Sequence, residues 1–205
     1  VPDVKGLLNA SIQLTGTLGE PTANGEATVQ GLEIDQVILG DVSAKLEETK
    51  GELVLSQIQA QIFAGQIAGN GRYHWQDAAG NLDLSIGGVD LSLVPARWLP
   101  NELALSGRMS GSLNTTIRSG QINSVGNLDF QEGRVEGIPL NQIQFTAGMT
   151  TSGGFERIVG SGRVAGGSIR FEGTQSRLSL SGDGLNLAQV TPVQRFIAAS
   201  GIFSL

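Results

Sequence analysis

Strict alternation of apolar and polar residues is the feature that most constrains this chain. In Leu8-Asn9-Ala10-Ser11-Ile12-Gln13-Leu14-Thr15 every even position is apolar and every odd one polar. A period of two puts successive side chains on opposite faces of a β-strand, so this segment predicts a strand with one dry face. The pattern recurs at Val42, Ala44 and Leu46, at Ile58, Ala60 and Ile62, and at Leu82, Leu84 and Ile86. It continues at Leu103 and Leu105, Leu128 and Phe130, then Ile143, Phe145, Ala147 and Met149. Ile169 with Phe171, and Leu178 with Leu180, complete the series. Between Ser56 and Ile58 the apolar positions pass from odd (Leu53, Leu55) to even, which predicts a bulge or short turn there.

Turn signals punctuate the runs at Gly19-Glu20-Pro21, Ala79-Gly80-Asn81, Ser119-Gly120 and Ser152-Gly153-Gly154. This is the rhythm of an antiparallel meander. The expected fold is therefore all-β, a long and mostly antiparallel sheet.

The second half of the chain restates the first. Residues ANGEATVQGLEIDQVILGDVSAKL align with SVGNLDFQEGRVEGIPLNQIQFTA, placing Gly25 on Gly126 and Val42 on Ile143. Ala64-Gly65-Gln66-Ile67 matches Gly166-Gly167-Ser168-Ile169, and Gly88-Val89-Asp90-Leu91 matches Gly184-Leu185-Asn186-Leu187. Ser106-Gly107 matches Ser200-Gly201. The expected organisation is one repeat over 1–102, a second over 103–196 and the start of a third at 197–205. Each repeat ends in a non-strand candidate, DLSLVPARWLP at 90–100 and NLAQVTPVQRF at 186–196, where Asp or Asn precedes an apolar pattern broken by Pro. A short helix or turn is expected in each, with Trp98 as a packing residue.

Composition narrows the function classes. Glycine contributes 30 of 205 residues, about twice the usual share of ~7%, and the charged residues amount to 16% against a typical ~25%. A net charge of −6 and scattered Lys and Arg argue against nucleic acid, whose phosphates need a cationic stripe. With no Cys the chain has no disulfide framework, thiolate metal site or cysteine nucleophile. No apolar run approaches the ~20 residues of a membrane-spanning helix.

The candidate chemical motifs are weak. Gly160-Ser161-Gly162-Arg163-Val164-Ala165-Gly166-Gly167 resembles a dinucleotide fingerprint, but the strand-like Ser168-Ile169-Arg170-Phe171 follows where a helix is required. These glycines are read as turn, bulge and bending positions. His74 is the only histidine; Asp77 lies across a turn from it, and the expected state is an exposed strand end. Glu47, Glu48 and Glu52 around Lys50-Gly51 read as a solvated hairpin tip rather than a calcium site. The sequons at Asn9 and Asn114 are short enough to arise by chance. No catalytic residue, metal ligand or cofactor is expected, and the chain is read as non-enzymatic.

Strand phrases ending in SG, in LALSGRMSGSL at 103–113 and AASGIFSL at 198–205, with SIQLTGTLGEPTANGEATV at 11–29 and FAGQIAGNGRY at 63–73, resemble the TamB and AsmA-like envelope proteins. The resemblance covers nearly the whole chain. It implies a sheet folded lengthwise into a U-shaped trough, apolar on its concave face and polar outside, between inner and outer membranes. It further implies phospholipid transfer, outer-membrane protein assembly with a barrel-type insertase, and a periplasmic, intermembrane or plastid-envelope location. The chain then reads as an interior piece of a longer, inner-membrane-anchored protein, the insertase being met through parts outside it.

Residue chemistry leads to the same expectation by its own route. A one-sided sheet with few helices and only ten aromatic residues (Phe 7, Trp 2, Tyr 1) has little to cover its dry face. Acyl chains would cover it, gaining about 0.8 kcal/mol per buried methylene. The alternating residues named above, other than Leu53, Leu55 and Ala60, are accordingly the candidate lipid-facing wall. An isolated piece with open edges is also expected to dimerise artificially. The alternative reading is a secreted, structural or adhesive β-helix with a filled core, whose coils repeat at about 20–30 residues.

Overall fold

The computed structural model describes residues 3–17, 20–34, 37–96, 104–150, 155–174 and 177–186. Twelve strands follow one another in the sheet in the order of the chain, each antiparallel to the last. They are β1 (Val4–Thr17), β2 (Glu20–Ile34), β3 (Val37–Thr49), β4 (Glu52–Ile62), β5 (Gly65–His74) and β6 (Ala79–Asp90). The second six are β7 (Leu105–Arg118), β8 (Gln121–Val135), β9 (Ile138–Thr150), β10 (Phe155–Val164), β11 (Gly167–Thr174) and β12 (Arg177–Asp183). The antiparallel all-β architecture expected from the alternation is present as one open meander. The sheet is neither closed nor strongly curled, and its chain-order antiparallel pairing is unlike the coils of a parallel β-helix.

Short turns set the rhythm. Five two-residue hairpins have both residues at positive φ: Lys50-Gly51 (53°, 82°), Phe63-Ala64 (47°, 58°), Ser119-Gly120 (48°, 82°), Glu136-Gly137 (51°, 79°) and Ala165-Gly166 (48°, 80°). This is the type I′ signature, whose twist matches that of the flanking strands. The connection from β1 to β2, residues 18–19 with Gly19 of the first signal, lies outside the described residues, and the second signal follows its turn. Glu20 and Pro21 belong to β2, where Pro21 opposes Gly16 of β1. Ala79-Gly80-Asn81 opens β6, and the chain reverses at residues 75–78, before the Gly-Asn pair. The Ser152-Gly153-Gly154 signal lies outside the described residues.

Extra residues are absorbed by bulges. The register shifts between Leu55 and Ile58, where the alternation changes parity, and Gln57 there has φ of 52°. Further shifts fall between Val29 and Leu32, Ile86 and Val89, and Asp129 and Gly133. A bulge leaves a backbone amide outside the ladder, and three such amides find side-chain oxygens on the next strand. The N–H of Gln57 donates to Asn70 Oδ1 at 3.2 Å, that of Gly31 to Asp41 Oδ1 at 2.8 Å, and that of Gly88 to Ser110 Oγ at 2.9 Å.

The described part of the first expected non-strand segment is a single 3-10 turn, Leu91–Leu93. Asp90 caps it by accepting from the Ser92 amide (3.0 Å) and hydroxyl (2.6 Å). Trp98 and the second segment beyond Asn186 lie outside the described residues. The core is thin because the sheet has one layer: among the described residues the buried apolar side chains are Val37, Val89, Leu91, Leu140, Ala147 and Ala165.

An uncovered apolar face as candidate functional site

Cross-strand partners in an antiparallel sheet share a face, so the register alone sorts the side chains. One row runs Leu8, Val29, Val42, Ala60, Ile67, Ile86, Gly111, Leu128, Ile143, Gly162, Ile169, Gly182 through all twelve strands. A parallel row contains Ile12, Gly25, Leu46, Leu55, Gly71, Leu82, Thr115, Ser124, Ala147, Ile158, Gly173 and Leu178. Between them lie Ala10, Ala27 and Ala44 on one side, and Gly69, Leu84, Leu113, Gly126, Phe145, Gly160, Phe171 and Leu180 on the other. Thr115 and Ser124 interrupt the wall, their hydroxyls bonding each other at 3.0 Å, and near the Lys50-Gly51 tip Glu48 enters it between Ala23 and Leu53.

Every candidate wall residue within the described segments therefore falls on one face. Leu14 pairs with Ala23, Ile58 with Gly69, Ile62 with Gly65, and Phe130 and Met149 with Met109 and Ile122. Leu105 joins through Val135; Leu103 lies outside the described residues. The parity changes seen in sequence keep the face continuous, because each bulge rotates the strand back into phase. The sequence reading missed Leu53, Leu55, Ile67, Leu113, Ile117, Ile122 and Ile158, which share this face. Their cross-strand neighbours, rather than their own strand's pattern, reveal them.

Glycine has a further role here beyond the turns and bulges first assigned to it. Gly126 sits under the ring of Phe145 and Gly160 under that of Phe171, where an added Cβ would collide with the ring. Gly25 abuts Ile12 and Gly162 abuts Ile143 and Ile169. Small residues opposite large ones let bulky side chains lie down along the sheet, lowering the relief of the wall.

Among the described residues the 3-10 turn, with Leu91 buried, is the one element besides neighbouring strands that packs against the sheet, and it packs on β7. The side chains of the apolar face are half-buried by strand neighbours in the middle of the sheet and exposed at the ends, with Ile12 60%, Leu14 73% and Leu178 66% accessible. The opposite face is mostly polar, with Leu7, Val125 and Val159 exposed among its polar residues. Asp83 accepts from Asn114 (2.6 Å) and Asn81 (3.2 Å), Asp129 from Gln142 (3.0 Å), and Arg157 pairs with Glu172 at 2.7 Å. A hollow of about 440 Å³ among Ser11, Gln13, Asn24, Glu26, Lys45, Glu47 and Ser56 opens on this polar side. Another, of about 1250 Å³, lies at the strand ends between Val37–Gly40, the Phe63-Ala64 turn, Leu93 and Arg108.

The other candidate motifs stay dispersed. His74 ends β5, half exposed, with Nε2 3.4 Å from Glu52, which also faces Arg72 at 3.9 Å. Asp77 lies in the following turn, and Glu48 accepts from the Gly51 amide at the hairpin tip. Among the described residues no three His, Cys, Asp or Glu side chains gather as a metal would need. The Gly160–Gly167 run is the end of β10, a turn and the start of β11. Asp90 is shifted downward by its bonds to Ser92, and Lys5 upward by its bonds to Asp3 and Glu33. Both serve local geometry.

No family model, curated protein or solved structure matches this chain.

Proposed function

We propose that this chain is a non-catalytic wall for acyl chains, a module of a TamB or AsmA-like envelope protein that carries phospholipid between membranes or shelters barrel strands during outer-membrane assembly. One observation supports the reading: an apolar face runs across twelve strands, and among the described residues only the short 3-10 turn beside β7 packs against the sheet. Exposed apolar surface of that extent marks a binding surface rather than ordinary protein exterior.

The dimensions suit the cargo. From Leu8 to Leu14 the band is ~20 Å wide along the strand, against ~15 Å for one leaflet's hydrocarbon. Eleven strand spacings make it ~50 Å long. A uniform apolar wall holds a chain by burial alone and lets it slide, whereas a fixed site would need converging polar groups. In this reading the sheet folds lengthwise over its cargo, as the trough of the resembled family does. The location is then the periplasm or another intermembrane space, and the insertase is engaged elsewhere in the full protein.

Gentle purification followed by lipid extraction tests this. Phospholipid should co-purify with the protein and be lost from Leu84→Glu and Leu113→Glu, while Ser85→Glu and Ser112→Glu on the polar face retain it. Lipid-free protein, or equal retention by all four variants, contradicts the proposal.

A further inference from the structure

Beside the Lys50-Gly51 tip the apolar face changes character. The row there contains Ala23, Glu48, Leu53, Tyr73, Gly80 and Ile117, set side by side by the register of β2 to β7. Tyr73 is the chain's only tyrosine and Trp75 one of its two tryptophans. The Tyr73 ring leans over Gly80, where an added Cβ would come within 3.0 Å of Cδ2. Trp75 meets Tyr73 edge to face, with ring centroids 5.0 Å apart and planes at 77°. Its backbone amide donates to Gly51 O at 3.0 Å, which pins it beside the tip, and it is 56% accessible.

A half-buried carboxylate on an apolar face loses solvation unless a cation meets it. Glu48 Oε1 accepts from the Gly51 amide at 3.1 Å, which holds the side chain at the tip, and no Lys, Arg or His among the described residues pairs with it. Leu53 lies between Glu48 and Tyr73 in the row, so the two backbones stand about 10 Å apart, two strand spacings. An ammonium group suits that gap, because the carboxylate supplies charge and the ring faces supply cation–π attraction. Lys50, exposed at the same tip, offers a cation to a phosphate. The charge complement of this rim is a zwitterion.

The rest of the wall sets a direction. Buried apolar residues gather at the far strand ends: Val37 opens β3, Val89 nears the end of β6, Leu140 nears the start of β9, and Ala165 sits in the turn after β10. From Tyr73 down to Ile67 the same face of β5 runs ~20 Å, enough for the ~15 Å of one leaflet's hydrocarbon.

We propose that Glu48, Tyr73 and Trp75 form a headgroup site for an amine-bearing, zwitterionic phospholipid, whose ammonium sits between carboxylate and rings while its acyl chains run down β4 and β5. This rests on the acyl wall proposed above and adds to it an orientation and a headgroup preference. The site is partly exposed, so the contact is weak enough to orient a lipid without fixing it, and movement along the wall is kept.

Trp98→Phe leaves Trp75 as the only tryptophan and makes it the reporter. The intact chain is titrated with vesicles of phosphatidylcholine, then of phosphatidylglycerol with the same acyl chains, brominated either near the glycerol or near the chain terminus. Trp75 should be quenched more by the shallow bromines than by the deep ones, and phosphatidylcholine should bind about three to ten times more tightly. A net charge of −6 by itself disfavours an anionic lipid, so the decisive comparison is between two charge-matched variants. Glu48→Gln, which keeps an acceptor for the Gly51 amide, should lower the preference about threefold, whereas Glu47→Gln on the polar face should leave it unchanged. Tyr73→Leu, apolar but without a ring, should act as Glu48→Gln does, and far-UV circular dichroism checks that the sheet is retained. A preference unmoved by Glu48→Gln or by Tyr73→Leu, equal effects of the two glutamines, or stronger quenching by the deep bromines overturns the headgroup site and leaves the acyl wall standing. Binding of neither lipid overturns both.

Discussion

The ring of Phe145 lies over Gly126, its cross-strand partner, in the space that a side chain at residue 126 would need. Phe171 repeats the arrangement over Gly160 one hairpin further on. In a one-layer sheet no second layer exists to pack against. Bulky residues on the apolar face gain their contacts sideways, and glycine across the strand makes that possible.

Gly126→Ala should therefore destabilise the sheet by about 1–3 kcal/mol, the usual cost of forcing atoms into filled space. Gly148 is the control, on the polar face with its nearest neighbour atom 3.5 Å from an added Cβ. Gly148→Ala should be neutral or stabilise by up to about 1 kcal/mol through the unfolded chain. Urea midpoints of the two variants read the difference directly.

At the Leu55–Ile58 bulge, Gln57 holds φ of 52° without being glycine, a conformation that costs an L-residue about 1–2 kcal/mol. Gln57→Gly should relieve part of this and raise stability by about 0.5–1 kcal/mol, since the amide that donates to Asn70 is kept. The same urea titration measures it, and a loss of stability would contradict the strain assigned to the bulge.

Asp90 gives a pH signature. Its carboxylate is held below the ordinary value of 3.8 by the Ser92 hydroxyl and amide. A carboxyl with a depressed folded pKa contributes stability that is fully present above its unfolded value and is lost as pH falls through the lower folded value. The Ser92 amide resonance should stay fixed down to the ordinary carboxylate range and move only below it. In Asp90→Ala the acid-dependent movement should disappear. Movement centred at or above 3.8 would contradict the cap.

Much of the architecture was legible in sequence because a period of two is a direct consequence of strand geometry. Leu8 to Leu14 announced both strand and face, and the parity change after Leu55 announced a bulge. Turn positions were less legible where turn chemistry misled: Pro21 suggested a break but sits in β2, and Phe63-Ala64 adopts a type I′ turn with neither Gly nor Asn. The wall residues Leu113, Ile117 and Ile122 escaped notice because their own strands carry many Ser, Thr and Asn neighbours. Their assignment needs the cross-strand register, a tertiary property. The role of Gly126 was hidden for the same reason, since nothing local places Phe145 across from it.

The central claim, that acyl chains lie along one face of this sheet, is tested most directly by two adjacent residues. Phe145 and Gln144 are neighbours on β9 that point to opposite faces, Phe145 opposing Gly126 and Gln144 opposing Asn127. A photoreactive side chain is placed at each position in turn, and the protein is irradiated with phospholipid. The account predicts adducts to lipid from residue 145 and few or none from residue 144; equal labelling at both positions, or labelling at 144 alone, would contradict it.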